Sequence, residues 1–340
     1  MISGHGSDRH KYLQEIIADF SSNVWYKGAP VQLISHLQKK VKNIIHYPEP
    51  NAEKLSLKIA NRFKLNYKNV LVTNGATEAF YLIAQFFQQY HSLIVYPSFS
   101  EYEDSCKIFN HKIQFITIDN LIENTDFQYG SLIWLGNPNN PDGEIISKET
   151  IELLCKKNPK STIIIDEAYG ELCNGFESSI PLLDLFSNLI IIRSLTKTFA
   201  IPGIRLGYVL ASEKIIEDLT LIKIPWSVNY LALEAGEFIL SKYEQLMPEP
   251  NWFSFCKSFQ NELHNIQGLK VRVSNCNYYL VQIQNGKACD LKHFLIENYG
   301  LLIRDASNFR GLDESFFRIA IQDPMFNKLL IKGINDWLNS

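Results

Sequence analysis

The sequence from residue 194 to residue 208 reads Ser194-Leu195-Thr196-Lys197-Thr198-Phe199-Ala200-Ile201-Pro202-Gly203-Ile204-Arg205-Leu206-Gly207-Tyr208. An amine reacts with an aldehyde only in its unprotonated form, which partial burial and a neighbouring cation such as Arg205 both favour. The hydroxyls of Ser194 and Thr196 and the guanidinium of Arg205 suit a phosphate dianion. This segment therefore predicts a Schiff-base lysine, Lys197, beside a phosphate site. The alternative is a solvated lysine at a strand end, which is the commoner reading of such a short motif.

Other apolar runs are followed by polar clusters in the same way. They are Val70-Leu71-Val72 before residues 73–78, Leu93-Ile94-Val95 before 96–99, Leu132 to Leu135 before 136–143, Ile163-Ile164-Ile165 before 166–169, and Leu189 to Ile192 before Arg193 and Ser194. Short apolar runs separated by helical patterns, here residues 78–89 and 148–157, are typical of a buried, mostly parallel sheet. Ligands bind such sheets at the carboxyl ends of the strands. The pattern predicts an α/β fold with one active site at that edge.

An aldehyde and a phosphate occur together in the cofactor pyridoxal phosphate, and two of these clusters have a definite task if the chain binds it. Gly75-Ala76-Thr77 opens a helix, where free backbone N–H groups and the helix dipole favour a phosphate, and the glycine allows close approach. Asp166 would lie against the pyridine nitrogen and keep it protonated, which makes the ring an electron sink. The alternative for Asp166 is a cap of the following helix.

Three more residues suit the cofactor ring. Asn140 and Tyr169 can hydrogen-bond its phenolic oxygen, and Phe99 offers an apolar face for stacking. The two Asn-Pro pairs at 137–141 could instead form a plain turn, and Phe99 could be a core residue. Lys197, Asp166 and Tyr169 are the catalytic candidates of this set.

The order and spacing of these segments, from about residue 5 to residue 328, resemble the fold type I pyridoxal-phosphate enzymes, and within them the histidinol-phosphate aminotransferase branch. The resemblance implies an aspartate-aminotransferase-like fold, with a large domain of mostly parallel sheet and a smaller α+β domain. It implies that Lys197 bonds the cofactor aldehyde, that Asp166 pairs with the ring nitrogen, that Asn140 and Tyr169 contact the phenolic oxygen, and that Phe99, usually Tyr or Trp in the family, stacks on the ring.

The same resemblance assigns further binding roles. Ala76, Thr77, Ser194, Thr196 and Arg205 would bind the cofactor phosphate. Tyr47, in His46-Tyr47-Pro48-Glu49-Pro50, is similar to a tyrosine that reaches this phosphate from the other subunit of a homodimer. Arg318, in Phe316-Phe317-Arg318-Ile319-Ala320, is similar to the arginine that binds the substrate carboxylate.

A closer resemblance, to L-threonine-O-3-phosphate decarboxylases of cobalamin biosynthesis, rests on four segments. They are Gly4-His5-Gly6, Asp19 to Asn23, Pro225 to Asn229, and Leu302 to Phe309. It implies that His5, Asn23 and Arg304 surround the phosphate of a phosphorylated amino acid. Ser7 replaces the second glycine of the usual His-Gly-Gly motif, and a histidine so near a terminus is often untethered.

Three functions stay open at this stage. The first is decarboxylation of L-threonine O-3-phosphate to (R)-1-amino-2-propanol O-2-phosphate. The second is transamination of histidinol phosphate or another amino acid, since both reactions use the same residues around the cofactor. The third, a non-catalytic cofactor-binding protein, is disfavoured because every catalytic position is filled.

Composition limits the partners and the location of the chain. The 340 residues, 46% of them hydrophobic, carry a formal net charge of -3, which favours neither nucleic acid nor an acidic membrane as partner. The six cysteines are scattered without a C-x-x-C pair, which predicts reduced thiols in a cytoplasmic protein and no metal site. No apolar run has the length of a signal peptide core or a membrane span.

The domain boundary is predicted at residues 245–252, where two prolines interrupt helical patterns. Strands are expected at 268–273 and 278–284, and helices at 291–299 and 326–338. The expected division is an arm of residues 1–28 that joins the small domain, a large cofactor domain of residues 29–245, and a small domain of residues 246–340.

Overall fold

The computed structural model describes residues 6–123, 130–249 and 251–340. Its strands are β1 Ala18–Asp19, β2 Val70–Thr73, β3 His91–Val95, β4 Lys112–Ile116, β5 Leu132–Gly136, β6 Thr162–Asp166, β7 Leu189–Ser194, β8 Gly207–Leu210, β9 Leu269–Val271, β10 Tyr278–Ile283, β11 Leu301–Leu302, β12 Arg304–Asp305 and β13 Phe316–Ala320. Its helices are α1 Val31–Lys40, α2 Glu53–Phe63, α3 Gly75–Phe86, α4 Ser100–Ile108, α5 Ile118–Glu123, α6 Lys148–Lys157, α7 Glu213–Ile222, α8 Tyr230–Ser241, α9 Tyr243–Leu246, α10 Trp252–His264, α11 Ala288–Tyr299 and α12 Pro324–Leu338. Short 3-10 helices lie at Arg9–Lys11, Val41–Ile45, Tyr67–Asn69, Gly170–Leu172, Ile180–Asp184 and Pro202–Ile204.

The large sheet has seven strands in the order β2-β8-β7-β6-β5-β3-β4. Neighbours pair in parallel except at β8, which is antiparallel to both β2 and β7. Every residue of β5, β7 and β8 is buried, as continuous apolar strands covered on both faces require. The five predicted strands therefore all end at one edge of the sheet, and the expectation of a mostly parallel sheet is confirmed.

Helices cover both faces of this sheet and build two apolar cores on either side of it. One face packs against α2, α6 and α8, and the other against α3, α4 and α7. The predicted helix at residues 148–157 matches α6. The helix predicted at 78–89 instead runs from Gly75 to Phe86, because Gly75, at a φ of +79°, starts the helix directly after the strand.

A separate core contains the C-terminal elements. The antiparallel sheet β12-β13-β10-β9 packs against α10, α11 and α12, and the predicted strands and helices of this region lie within two or three residues of the observed ones. The N-terminal segment joins this core: β1 pairs with β11, and Phe20 is fully buried in the core. These contacts support the division at residues 1–28, 29–245 and 246–340, which stays a prediction.

A buried ion cluster connects the ends of β6 and β7. Arg193, on β7, donates from Nη1 to Glu167 Oε2 at 2.7 Å and from Nη2 to Glu171. The hydroxyl of Ser178 also donates to Glu167, at 2.6 Å, and that of Tyr243 to Glu171, also at 2.6 Å. The Glu167 side chain is fully buried, so its charge depends on this guanidinium.

We expect the Arg193→Met variant to lose about 3–5 kcal/mol of unfolding free energy, because it leaves the Glu167 carboxylate buried without its counter-charge. Urea denaturation followed by circular dichroism measures the loss. Lys214→Met is the matched control, since it breaks the exposed pair of Lys214 and Asp218 and should cost about 0.5 kcal/mol or less. Similar losses for the two variants would contradict the role assigned to Arg193.

The described residues carry neither a membrane-spanning helix nor a cluster of metal ligands. None of the helices in residues 6–123, 130–249 and 251–340 is both long and apolar enough to span a bilayer. In the same part of the chain, no three His, Cys, Asp or Glu side chains are grouped as metal ligands.

Candidate active site

One cavity lies between the carboxyl edge of the large sheet and the C-terminal core. It collects most of the residues expected from the sequence: Asn23, Ala76, Thr77, Phe99, Asn140, Asp166, Tyr169, Ser194, Thr196, Lys197, Arg205, Arg304 and Arg318. Residues from the N-terminal arm, the large sheet and the small sheet all contribute to its wall. The cavity is therefore complete only when the chain has brought the two cores together.

The phosphate end of the cavity is formed by the start of α3 and the segment after β7. A Cβ added at Gly75 would lie 2.5 Å from Arg205 Nη2, so only glycine lets this guanidinium approach the helix N-terminus. The hydroxyls of Ser194 and Thr196 are 2.8 Å apart, and Thr77 lies on the first turn of α3. Helix N–H groups, hydroxyls and one guanidinium fit a phosphate dianion.

Lys197 follows β7 at the centre of the cavity. The residue is half-buried, and its Nζ lies 5.9 Å from the centre of the Tyr169 ring. The backbone N–H of Trp25 donates to the Lys197 carbonyl at 2.9 Å, so the N-terminal arm packs directly on this segment. The amine thus lies inside the cavity, which is the position that a Schiff-base lysine requires and a solvated strand end does not.

Asp166 is the last residue of β6 and is buried. Its Oδ2 accepts from the Tyr102 hydroxyl at 2.7 Å, and its Oδ1 accepts from the Ala168 backbone N–H at 3.0 Å. Burial raises the pKa of Asp166 to about 6, although both hydrogen bonds and the charge of Lys197 lower it. The next helix, Gly170–Leu172, has no side-chain cap, so Asp166 is not the helix cap considered from the sequence.

Tyr102 is a site residue that the sequence analysis missed. It lies on α4, three residues after Phe99, and both residues line the cavity. The two positions are one helical turn apart, so a spacing of three after Phe99 is the signal that could have identified it. Ser22, Ser100 and Asn308 also line the cavity and carried no signal strong enough to select them.

We expect the Tyr102→Phe variant to raise the pKa of Asp166 above about 6, because a hydrogen bond to the ionised carboxylate favours the ionised form. The carboxyl group would then stay protonated over a wider pH range. Carboxyl ¹³C chemical shifts of the cofactor-free protein, titrated with pH, measure the change. Tyr81→Phe is the control, since it removes a similar bond to Glu101 and should leave Asp166 unchanged. An unshifted Asp166 in Tyr102→Phe would contradict the assignment.

The opposite end of the cavity holds two buried arginines. Arg304 on β12 and Arg318 on β13 are direct cross-strand partners, 7% and 5% exposed. Burial first, and then the charge of Arg318, lower the pKa of Arg304 to about 10. Like charges placed opposite each other destabilise a sheet. Within the described residues neither guanidinium has a carboxylate in ion-pair distance, so this pair is suited to bind an anion.

Neutral groups position both guanidiniums. Arg318 donates to the Ser21 carbonyl at 2.6 Å and to the Asn140 side chain, and Arg304 donates to the Asp305 carbonyl and to the Asn308 side chain. Among the side chains that line the cavity, Arg318 Nε and both side-chain polar atoms of Asn23, which is 2% exposed, are buried without a partner in the described structure. Buried polar atoms are normally satisfied, so these atoms point to a ligand.

Two predicted residues of the described part of the chain do not line this cavity. Gly75 lies behind the wall, against Arg205. Tyr47 is 88% exposed and packs near Trp226, so within its own chain it does not reach the cavity; its expected role in a partner subunit stays a prediction. His5 lies outside the described residues.

The comparisons identify the family. The model of aminotransferase class I and II matches residues 16–332. The chain belongs to this family. Its fold is therefore the aspartate-aminotransferase-like fold expected from the sequence, and its cofactor is pyridoxal phosphate, which fits the groups around Lys197 and Arg205.

Relatives with two different activities are similar to this chain. A putative threonine-phosphate decarboxylase from Caldanaerobacter subterraneus is 33% identical, over 86% of this chain and 83% of its own length. A histidinol-phosphate aminotransferase from the same organism is 31% identical, over 96% of this chain and 99% of its own. The crystal structure of L-threonine-O-3-phosphate decarboxylase from Porphyromonas gingivalis superposes with a TM-score of 0.91 at 37% identity, covering 95% of this chain and 100% of that one.

Proposed function

We propose that this enzyme decarboxylates L-threonine O-3-phosphate to (R)-1-amino-2-propanol O-2-phosphate, a reaction of cobalamin biosynthesis. The observation that carries the proposal is the buried pair of Arg304 and Arg318, which face each other without a carboxylate partner among the described residues. Threonine phosphate has two anionic groups, and each guanidinium can hold one. The similarity to threonine-phosphate decarboxylases supports the same substrate.

When bound, pyridoxal phosphate supplies an electron-accepting ring that is conjugated to Cα of the amino acid. In our proposal Asp166 holds the proton on the ring nitrogen, and the Tyr102 hydroxyl keeps the carboxylate in place. Asn140 and Tyr169 would hydrogen-bond the phenolic oxygen, and Phe99 would cover one face of the ring. The start of α3, with Ser194, Thr196 and Arg205, would hold the cofactor phosphate.

The residues at the substrate end of the cavity would decide which bond at Cα breaks, because they would set the orientation of the substrate relative to the cofactor. Arg318 would bind the carboxylate, and Arg304 with Asn23 would bind the phosphate, so that the two arginines together would orient the carboxylate for its release. A role for His5 at the phosphate stays an expectation from the sequence. Lys197 Nζ then returns a proton to Cα after CO₂ leaves. If the substrate were held so that the Cα–H bond was activated instead, Lys197 Nζ would remove that proton, and transamination would be the outcome.

The alternative is transamination of histidinol phosphate. That substrate has a phosphate and no carboxylate, so it offers the two buried guanidiniums one anionic group, whereas threonine phosphate offers two. Histidinol-phosphate aminotransferases and threonine-phosphate decarboxylases are about equally similar to this chain in sequence. Sequence identity alone therefore does not choose between the two reactions. The arginine pair is the reason for our choice.

We also propose that the enzyme is a homodimer and that it is located in the cytoplasm. Ile44, Ile45, Tyr47, Ile224 and Trp226 are large apolar side chains that are 49–88% exposed, and exposed apolar side chains of this kind suit a subunit interface. In a dimer Tyr47 would reach the cofactor phosphate of the partner subunit. The six free cysteines agree with a reducing compartment.

Product analysis with threonine phosphate tests the function. We expect the holoenzyme to release CO₂ and form aminopropanol phosphate without any keto acid. The Lys197→Ala variant, which lacks the proton carrier, should lose this release by at least about a thousandfold. Amino transfer from histidinol phosphate to 2-oxoglutarate, with no CO₂ from threonine phosphate, would show that the aminotransferase alternative is correct.

We expect Arg304→Ala to lower kcat/KM for threonine phosphate by at least about tenfold, because a charged bidentate contact is worth about 1.5–3 kcal/mol. The weak reaction of unphosphorylated threonine should change little. Steady-state kinetics of both substrates measure the two effects, and Lys287→Ala, which breaks an exposed ion pair, serves as control. An equal fall for both substrates, or none for either, would mean that Arg304 does not bind the phosphate.

A further inference from the structure

Two buried cysteines lie against each other beside the active site. Cys173 Sγ and Cys276 Sγ are 2.6 Å apart, and the residues are 5% and 0% exposed. All six cysteines lie within the described residues, and Cys173 and Cys276 are the two whose sulfur atoms are in contact. Neither thiol has a task in the proposed reaction.

The backbones that carry these thiols are also in contact. The N–H of Asn174 donates to the carbonyl of Asn275 at 2.8 Å, and these residues are the immediate neighbours of the two cysteines. A backbone hydrogen bond between the neighbouring residues is compatible with the Cα separation of about 4.4–6.8 Å that a disulfide spans. An S–S bond of about 2.05 Å could therefore form with a small movement of the side chains.

The packing around Cys276 keeps it in this position. A Cβ added at Gly143 would lie 2.0 Å from the Ser274 hydroxyl, and Cys276 Sγ is 3.9 Å from the Gly143 carbonyl. The loop that contains Asn140 therefore packs closely on the segment that leads into β10. This contact aligns Cys276 with Cys173 without a disulfide being present.

The pair joins two parts of the fold next to the cavity. Cys173 lies four residues after Tyr169, beyond the end of β6 in the large sheet, and Cys276 lies two residues before Tyr278 in the small sheet. The Tyr169 and Tyr278 rings meet edge to face, with centroids 5.0 Å apart. A covalent bond between the two sulfurs would therefore link the two sheets at the wall of the active site.

We propose that Cys173 and Cys276 form a redox modification site, which a hydroperoxide converts to a disulfide. One sulfur attacks the peroxide O–O bond, which gives a sulfenic acid and releases water or an alcohol. The second sulfur then displaces water from the sulfenic acid and forms the S–S bond. Two thiols lose two electrons and two protons in total, and one hydroperoxide is reduced to an alcohol, or to water, with a second molecule of water as product.

Exposure determines which thiol reacts first. Cys173 retains some contact with solvent, whereas Cys276 has none. Burial, and then the neighbouring Cys173 thiol, raise the pKa of Cys276 well above its ordinary value, which keeps this thiol protonated. Cys173 is therefore the attacking thiol and Cys276 the resolving thiol.

The cross-link should also stabilise the fold. It joins residues that are 103 positions apart, and a link across a loop of that size restricts the unfolded chain strongly. We expect the melting temperature of the oxidised holoenzyme to exceed that of the reduced form by about 5 °C or more. This effect does not depend on which reaction the enzyme catalyses.

The test uses the full-length holoenzyme, first reduced with a phosphine and then treated with a small molar excess of hydrogen peroxide. Alkylation with iodoacetamide in denaturant, followed by mass spectrometry, counts the free thiols. We expect six alkylated cysteines before peroxide and four after it, with a linked peptide pair that contains Cys173 and Cys276. Phosphine should restore all six and reverse the rise in melting temperature.

Single variants separate this pair from general oxidation. Cys173→Ser, which lacks the attacking thiol, should show five thiols before and after peroxide. Cys276→Ser, which keeps the attacking thiol without its resolving partner, should fall from five free thiols to four, with a sulfenic acid on Cys173. Neither variant should give the linked peptide pair or the thermal shift. Cys289→Ser, at a more exposed position, should still form the link. Six free thiols after peroxide, a link that maps to other cysteines, or oxidation that phosphine does not reverse would overturn the proposal. The peptide map of the unaltered enzyme decides the matter even if a variant fails to fold.

Discussion

The site depends on the common direction of the central strands. β3, β5, β6 and β7 are parallel, and β2 runs the same way as β7 because β8 is antiparallel to both. The side chains that follow these strands consequently meet at one edge of the sheet. Apolar layers on both faces bury the strands and leave this edge as the place where Asp166, Lys197 and the start of α3 can act together.

The charged side chains at the two ends of the cavity have different kinds of partner. At the cofactor end, Arg205 lies beside hydroxyls and a helix N-terminus, and Asp166 is buried next to Tyr102. At the other end, Arg304 and Arg318 repel each other in a buried environment and donate hydrogen bonds to neutral oxygen atoms. Binding of a dianionic substrate would remove this repulsion, and the free energy of that binding would be available to orient Cα.

Two buried clusters beneath the cavity contribute to the fold in different ways. The ion cluster of Arg193, Glu167 and Glu171 holds the segment after β6, which also carries Asp166 and Tyr169. The thiols of Cys173 and Cys276 lie at the next contact along the same segment, where it meets the small sheet. The geometry of Tyr169 therefore depends on a charged contact on one side and a thiol contact on the other.

The sequence by itself determined the fold class, the order of the strands along the chain and most of the cavity residues, because apolar runs, turn residues and the Lys197 segment are local signals. Only the tertiary structure decided that β8 separates β2 from β7, that Arg304 opposes Arg318, and that Tyr102 reaches Asp166. Arg304 and Arg318 are 14 positions apart, Tyr102 and Asp166 are 64 apart, and β2 and β8 are more distant still. No local periodicity encodes which of these distant segments meet. Packing of the two cores selects one arrangement, and the substrate end of the cavity, the thiol pair and the exposed position of Tyr47 all follow from that packing.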